Sequence, residues 1–327
     1  MQNQDVFGYA TNAQINDFLY SLQLFGASDW SKEKQIGALY AISNHIEDHY
    51  TLFQVPKRNG SERTICAPSP LLKTVQKRIL FAVLSERPVS EFATAYKTGV
   101  SILDNAAGHV GQKYVLKLDI ENFFGSILFQ DVMNFAFPRA LFPKRVSALF
   151  ASLCCYHDCL PQGAPTSACI SNIVLKPFDD YIGRVAKEMG AVYTRYSDDM
   201  TFSGDFDTKK MYYKAKLFLE AMNFTVNEAK TQILTKKSQQ KVTGLVVNEK
   251  VQVPKNYRKT VRQEAYFATK YGLTSHLAYR QNIQAAEVTQ NAAFHYKLSL
   301  LGKINYILLA NPEDQEFKKW QNEIKSL

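Results

Sequence analysis

RYSDDMTFSG (195–204) places two aspartates side by side between short runs of strand-forming residues. The pattern predicts a strand, a tight turn and a second strand across 191–204. Like charges at one turn repel unless a positive partner relieves them. Adjacent side chains at a turn can reach one common point, whereas in mid-strand they would face opposite sides of the sheet. Asp198 and Asp199 therefore suit a hard cation held by oxygen ligands. An ordinary polar turn carries the same pair, so its context decides.

Upstream, KYVLKLDIENFF (113–124) alternates. Leu116, Leu118 and Ile120 share one face, and Lys117, Asp119 and Glu121 the other, as in a strand with a buried and a charged side. If this strand neighbours the hairpin in one sheet, Asp119 joins Asp198 and Asp199. Between them LPQGAPTSACISNIVLKPFDDYIGRVAKEMG (160–190) predicts a Gly/Pro turn and one long helix, with Pro165 suited to its first turn. Further out, residues 1–50 are predicted helical, with Ser28 or Asp29 as a cap. Thr51–Val55 and Arg63–Cys66 predict strands about a Lys57-Arg58-Asn59-Gly60 turn. Helices are expected at 71–86, 208–224 and beyond Tyr257. Helices and strands mix without strict alternation, which predicts an α+β fold with an antiparallel sheet.

At 327 residues, 46% hydrophobic and 21% charged, the chain is globular and long enough for two or three lobes. Its formal charge of +9 favours a polyanionic partner. Residues 228–270 hold ten Lys and Arg against three Glu, interleaved with Tyr257, Tyr266 and Phe267 and followed by Tyr271. That mixture suits a phosphate backbone with stacked bases, or equally a solvated helical face. No apolar run has the length of a membrane span, and MQNQDVFGYA lacks the pattern of a signal peptide, so no membrane association and a cytoplasmic location are expected. Five cysteines without an export signal argue against a disulfide framework. CCYHDC (154–159) lacks the second spaced pair of a structural zinc site and reads as small buried thiols at a helix end.

YSDD resembles the YxDD box of reverse transcriptases, LKLDIENFF their first palm motif and LPQGAPTS their turn-helix motif. Order and spacing agree, and the resemblance covers most of residues 50–255. It implies a right-hand polymerase fold with an antiparallel palm sheet and helix-rich N- and C-terminal parts. The expected division is an N-terminal helical segment 1–50, fingers with some palm at 51–112, palm with the primer grip at 113–255, and a basic helical thumb at 256–327. By the same resemblance Asp119, Asp198 and Asp199 bind two Mg2+ ions. Phe124 matches the aromatic gate that rejects a ribose 2′-OH, with core packing as the alternative. Gln162 is similar to the family glutamine at the incoming nucleotide, presented by the turn that Gly163 and Pro165 shape. Arg63 and Lys57 are candidates for the triphosphate, and Lys230 for protonating the leaving pyrophosphate; each is otherwise a surface charge.

NAAGH (105–109) and VTG (242–244) match two further motifs, those of bacterial retron reverse transcriptases. Asn105 and His109 would order a loop or contact RNA, and the strand of Val242, Thr243 and Gly244 would lie near the primer end. The resemblance implies an RNA-directed DNA polymerase that recognises its own structured noncoding RNA (msr-msd), primes at the 2′-OH of an internal guanosine, and makes branched msDNA from dNTPs. It also implies a separate effector protein and a role in antiphage defence. A group II intron-type enzyme is the nearest alternative, and a noncatalytic RNA-binding scaffold the more distant one. Ser197 departs from the alanine that many relatives carry before the two aspartates.

Overall fold

The computed structural model describes residues 10–56, 60 and 62–327. The chain forms two compact units, one of Met1–Val100 with Leu116–Ile233, the other of Ser101–Val115 with Leu234–Leu327.

In the first unit, strands β1 (Tyr50–Pro56) and β2 (Glu62–Pro68) form the expected hairpin, in register from Tyr50 opposite Pro68 to Pro56 opposite Glu62. Lys57, Arg58 and Asn59 of its turn lie outside the described residues. Most of a four-stranded sheet also belongs here: β3 (Tyr114–Asp119), β4 (Ala191–Tyr196), β5 (Asp199–Gly204) and β6 (Gln232–Thr235). The strand order is β4-β5-β3-β6, so the strand that ends in Asp119 directly neighbours the hairpin strand that begins with Asp199. β4 and β5 are antiparallel, and their last pair is Tyr196 with Asp199, which leaves Ser197 and Asp198 as a two-residue turn.

Leu116, Leu118 and Ile120 are buried in the unit's core with Met200, Phe202 and Phe178. The other face of β3 is less wet than its charges suggest, since Asp119 is only 5% exposed. Three local expectations need correction. Pro165 lies ahead of its helix, not in the first turn: Thr166 is the N-cap and the helix begins at Ser167, so the proline shapes the turn that leads in. The helix after LPQGAPTS is two helices, Ser167–Val174 and Lys176–Glu188. Pro177 lacks the N–H that an unbroken helix requires, and it sits instead in the first turn of the second helix. The second N-terminal helix, Lys32–Asn44, is capped by Ser31 through the Lys34 N–H, while the Ser28 hydroxyl accepts from the Trp30 N–H outside the helix.

The second unit is mostly helical: Ile102–Ala107, Lys255–Tyr271, Leu273–Gln281, Gln290–Ala310 and Gln315–Ser326. A short hairpin of β7 (Lys241–Val242) and β8 (Leu245–Val246) buries Val242 and Leu245 in a separate core with Val261, Leu300, Ile304 and Phe317. Gly272, at φ +84, separates two of these helices at a backbone angle that L side chains resist.

All five cysteines are free thiols. Cys154 and Cys155 are buried at the end of the helix Lys144–Cys154, and the Cys159 thiol donates to the Tyr156 carbonyl. Among the described residues, no helix is long and apolar enough to cross a membrane.

Candidate active site

The hairpin turn brings two carboxylates to the end of β5, and β3 supplies the third. The Ile120 N–H donates to the Asp198 carbonyl at 3.2 Å, which ties the end of β3 to the turn. The next segment along the sheet supplies a cation. Ile120 bridges to Val226, the Asn227 N–H donates to the Asp119 carbonyl at 2.8 Å, and a 3-10 turn over Glu228–Lys230 follows. Lys230 thereby reaches back, its Nζ 2.8 Å and 3.0 Å from the two oxygens of Asp119.

The electrostatics are those of an undercompensated acidic cluster. Burial lifts Asp198 above the ordinary carboxylate range, and the charges of Asp119 and Asp199 lift it further, against a lowering pull from its own backbone and Lys230. Burial also lifts Asp199, aided by Asp119 and opposed by Lys117 and Lys230. The hydrogen bond to Asp119 holds Lys230 above its usual range, so it stays an ammonium. Among the described residues, no three His, Cys, Asp or Glu side chains form a ready-made cage for a metal ion. The donor set is nonetheless all carboxylate oxygen, the chemistry that suits Mg2+, which takes one or two protein carboxylates and completes its shell with water and phosphate. The Lys230 side chain is 60% exposed, so the cation now on Asp119 sits where a ligand can displace it.

The remaining predicted residues of this unit are spread over neighbouring elements. Phe124 opens a 3-10 turn over Phe124–Ser126, and its ring lies 5.1 Å from buried Phe123. Partly buried against the core, it keeps an accessible portion, so packing and gating are compatible roles. Gln162 is pinned through its main chain, whose carbonyl accepts from the Cys66 N–H of β2 at 2.9 Å. Gly163 follows at φ +132, where an added Cβ would stand 2.7 Å from the Cys66 carbonyl oxygen. The Ser167 hydroxyl donates to the Pro161 carbonyl at 2.7 Å and closes the turn. Arg63 is exposed on β2 opposite Val55. Lys57 lies outside the described residues.

NAAGH and VTG meet one another in the second unit. The Asn105 amide donates to the Thr243 hydroxyl at 3.4 Å, the Gly111 N–H to the Val247 carbonyl at 2.9 Å, and the Gln240 amide to the Gln112 carbonyl at 3.0 Å. Asn105, His109 and Val242 are buried, and burial pushes the His109 imidazole down to about 4, so it is neutral. Thr243 and Gly244 turn the β7–β8 hairpin with φ of +46 and +85. These bonds join the two motifs inside the unit.

Sequence reasoning missed a polar cluster beneath the YSDD turn. Arg195 is fully buried and bonded to Asp179 and to the Ser197 carbonyl. Tyr193 and Arg195 lie on the inward face of β4, whose residues alternate in burial, so a charged residue in that register was the available signal. Ser197 also has a partner: its hydroxyl lies 3.0 Å from that of Tyr96.

Comparison with known proteins gives the family. A family profile described as reverse transcriptase (RNA-dependent DNA polymerase) matches residues 55–247. The chain is 34% identical over 247 residues to the Retron Ec86 reverse transcriptase of Escherichia coli, covering 73% of this chain and 76% of that one. It is 29% identical over 339 residues to the Retron Mx65 reverse transcriptase of Myxococcus xanthus, covering 93% and 75%. A telomerase structure from Candida albicans aligns with a TM-score of 0.44 at 12% identity over 85% of this chain and 63% of that chain, a likeness too distant to add to these.

Proposed function

The chain belongs to the retron reverse transcriptases, which are RNA-directed DNA polymerases, and from that premise we propose that Asp119, Asp198 and Asp199 form the centre at which it copies its own structured noncoding RNA into DNA. The observation that carries this reading is the adjacency of β3 and β5, with Lys230 on Asp119 as the cluster's nearest compensating charge. The family works with divalent metal ions, and we take the ions here to be two Mg2+ held by the three aspartates. When bound they supply positive charge that stabilises the oxygens of nucleotidyl transfer.

The chain's own residues have distinct tasks in this reading. Lys230 neutralises Asp119 while the site waits, and the arrival of the nucleotide's phosphates draws its ammonium away to serve as proton donor for the leaving pyrophosphate. Phe124 fills the space that a ribose 2′-OH would need. Gln162, fixed by the bond from β2, orients the incoming dNTP, and Arg63, with Lys57, meets its triphosphate. Residues 51–112 act as fingers, 113–255 as palm and 256–327 as a basic thumb that holds the RNA by shape and backbone.

The retron relatives and the paired NAAGH and VTG motifs support the finer reading: priming from the 2′-OH of an internal guanosine, a branched msDNA product, and service to a separate effector in antiphage defence. Primer extension on an RNA template with Mg2+ and dNTPs tests the centre. Asp198→Asn should lower synthesis by about 100-fold or more, and full activity in that variant would remove the assignment. Coexpression with the neighbouring noncoding RNA tests the priming: DNA bearing a 2′,5′ branch is expected, and purely linear DNA would contradict it.

A further inference from the structure

The YSDD turn has an unusual conformation for its sequence. Ser197, the first central residue, has φ +61, while Asp198 is not among the residues with positive φ. That is the pattern of a II′ turn, whose first central position favours glycine. A serine there is strained, and such a residue persists only where its surroundings over-determine it.

The Tyr96 hydroxyl meets the Ser197 hydroxyl at 3.0 Å and the Ile120 N–H meets the Asp198 carbonyl at 3.2 Å, and a buried side chain holds the carbonyl between them. Arg195 Nη1 donates to the Ser197 carbonyl at 2.9 Å. Its Nη2 donates to Asp179 Oδ2 at 2.7 Å and Asn172 Oδ1 at 3.1 Å, and its Nε to Asp179 Oδ1 at 2.9 Å. Asp179 also accepts from the Tyr193 hydroxyl at 2.8 Å. The Arg195 main chain is gripped too, accepting from the Thr94 N–H at 2.9 Å and donating to the Phe92 carbonyl at 2.8 Å. Asn172 holds the same segment through the Ala95 carbonyl at 2.9 Å. Both partners of the ion pair are fully buried.

A buried pair of this kind is a weak source of stability, because desolvation offsets its attraction and apolar replacements are often as stable. Geometry gives it another use. Only a guanidinium has donors enough, in a rigid fork, to satisfy a carboxylate, an amide and a main-chain carbonyl together. The carbonyl it holds belongs to the residue immediately before Asp198.

We propose that Arg195, locked by Asp179 and Asn172, is a positioning residue for the reaction: its hydrogen bond to the Ser197 carbonyl fixes the turn that presents Asp198 and Asp199. This rests on the reading of those aspartates as the metal-binding centre. Partners that orient metal ligands in this indirect way are worth about 10–100-fold in metal affinity or activity when removed. Lysine in place of arginine keeps the charge beside Asp179 but lacks the fork that also reaches Ser197.

The experiment compares wild type, Asp198→Asn and Arg195→Lys in the full chain. Folding is checked by near-ultraviolet circular dichroism and thermal melting. Mn2+ binding is titrated by electron paramagnetic resonance, and single-turnover dNTP incorporation is timed well below the melting temperature. Folded Arg195→Lys should bind Mn2+ about 10-fold more weakly and turn over about 10–100-fold more slowly, with the KM for dNTP nearly unchanged. A purely structural arginine would lower the melting temperature and leave the Mn2+ affinity of the folded protein as in wild type; that result overturns the proposal. Wild-type Mn2+ binding and turnover in Asp198→Asn would instead overturn the reading beneath it. Should Arg195→Lys not fold, Asn172→Ala leaves the ion pair and removes one restraint on the guanidinium. A several-fold weaker Mn2+ affinity supports the proposal, and an unchanged one refutes it.

Discussion

Asp198 and Asp199 hold their charges in a half-buried place, beside Asp119 and with Lys230 as partial relief. Their raised native pKa values have a definite consequence for stability. Between the unfolded aspartate value of about 3.9 and the raised native values, the native chain binds more protons than the unfolded one. Without divalent ions, stability therefore falls as pH rises through that window. Asp198→Asn removes one of the crowded charges, so at neutral pH it should gain about 1 kcal/mol, or about 1–2 °C in melting temperature at an unfolding entropy of about 2.1 cal/mol/K per residue. Melting curves without and with Mg2+ check this: the variant should melt higher than wild type in chelator, and added Mg2+ should stabilise wild type more than the variant. Ser197 has a structural account in the same place. Its hydroxyl meets Tyr96 at 3.0 Å, and its carbonyl, which alanine would also offer, meets Arg195 at 2.9 Å. The main-chain bond is therefore compatible with alanine in relatives.

The turn that carries Gln162 shows how one element shapes another. Gly163 lies against the edge of β2 with a φ of +132, and a Cβ there would come within 2.7 Å of backbone. Backbone cannot move aside as a flexible side chain does. Gly163→Ala is expected to lose about 1–3 kcal/mol from strain alone, measured by urea denaturation, and to weaken dNTP binding because the turn must shift. The elements themselves were largely legible. The alternation of 113–124 located β3, and the paired runs of 191–204 located β4 and β5, because a period of two is imposed by the strand backbone. Helical stretches were legible where apolar spacing was regular. The break at Pro177 was written in the sequence but masked by strong helical pattern on both sides. Ser28, Asp29 and Ser31 are all fair caps by composition, and in the structure it is the Ser31 hydroxyl that accepts from the Lys34 N–H.

For the whole molecule, the excess positive charge of +9 predicts a salt-sensitive hold on RNA. Some of the cations of 228–270 are engaged within the second unit, Arg258 by Asp314 and Arg262 by Glu316, while Tyr266, Phe267 and Tyr271 remain exposed. A protein neutralising about 6–10 phosphates loses about 10³–10⁵ in affinity between 50 and 200 mM salt. Filter binding to a structured RNA across that range should show such a slope, and a flat response would assign the basic surface to solvation alone. The sequence by itself determined the family motifs, their order, and the local periods that made strands of β3, β4 and β5. It offered Asp119, Asp198, Asp199 and Lys230 as candidates by resemblance, without being able to say that Lys230 lies on Asp119, because 111 positions separate the two. Strand order is not written in local pattern, so only the tertiary structure set β3 beside β5. It alone also revealed Arg195 under the turn, since a buried cation becomes intelligible only when the Asp179, Asn172 and Ser197 groups that satisfy it converge from different parts of the chain.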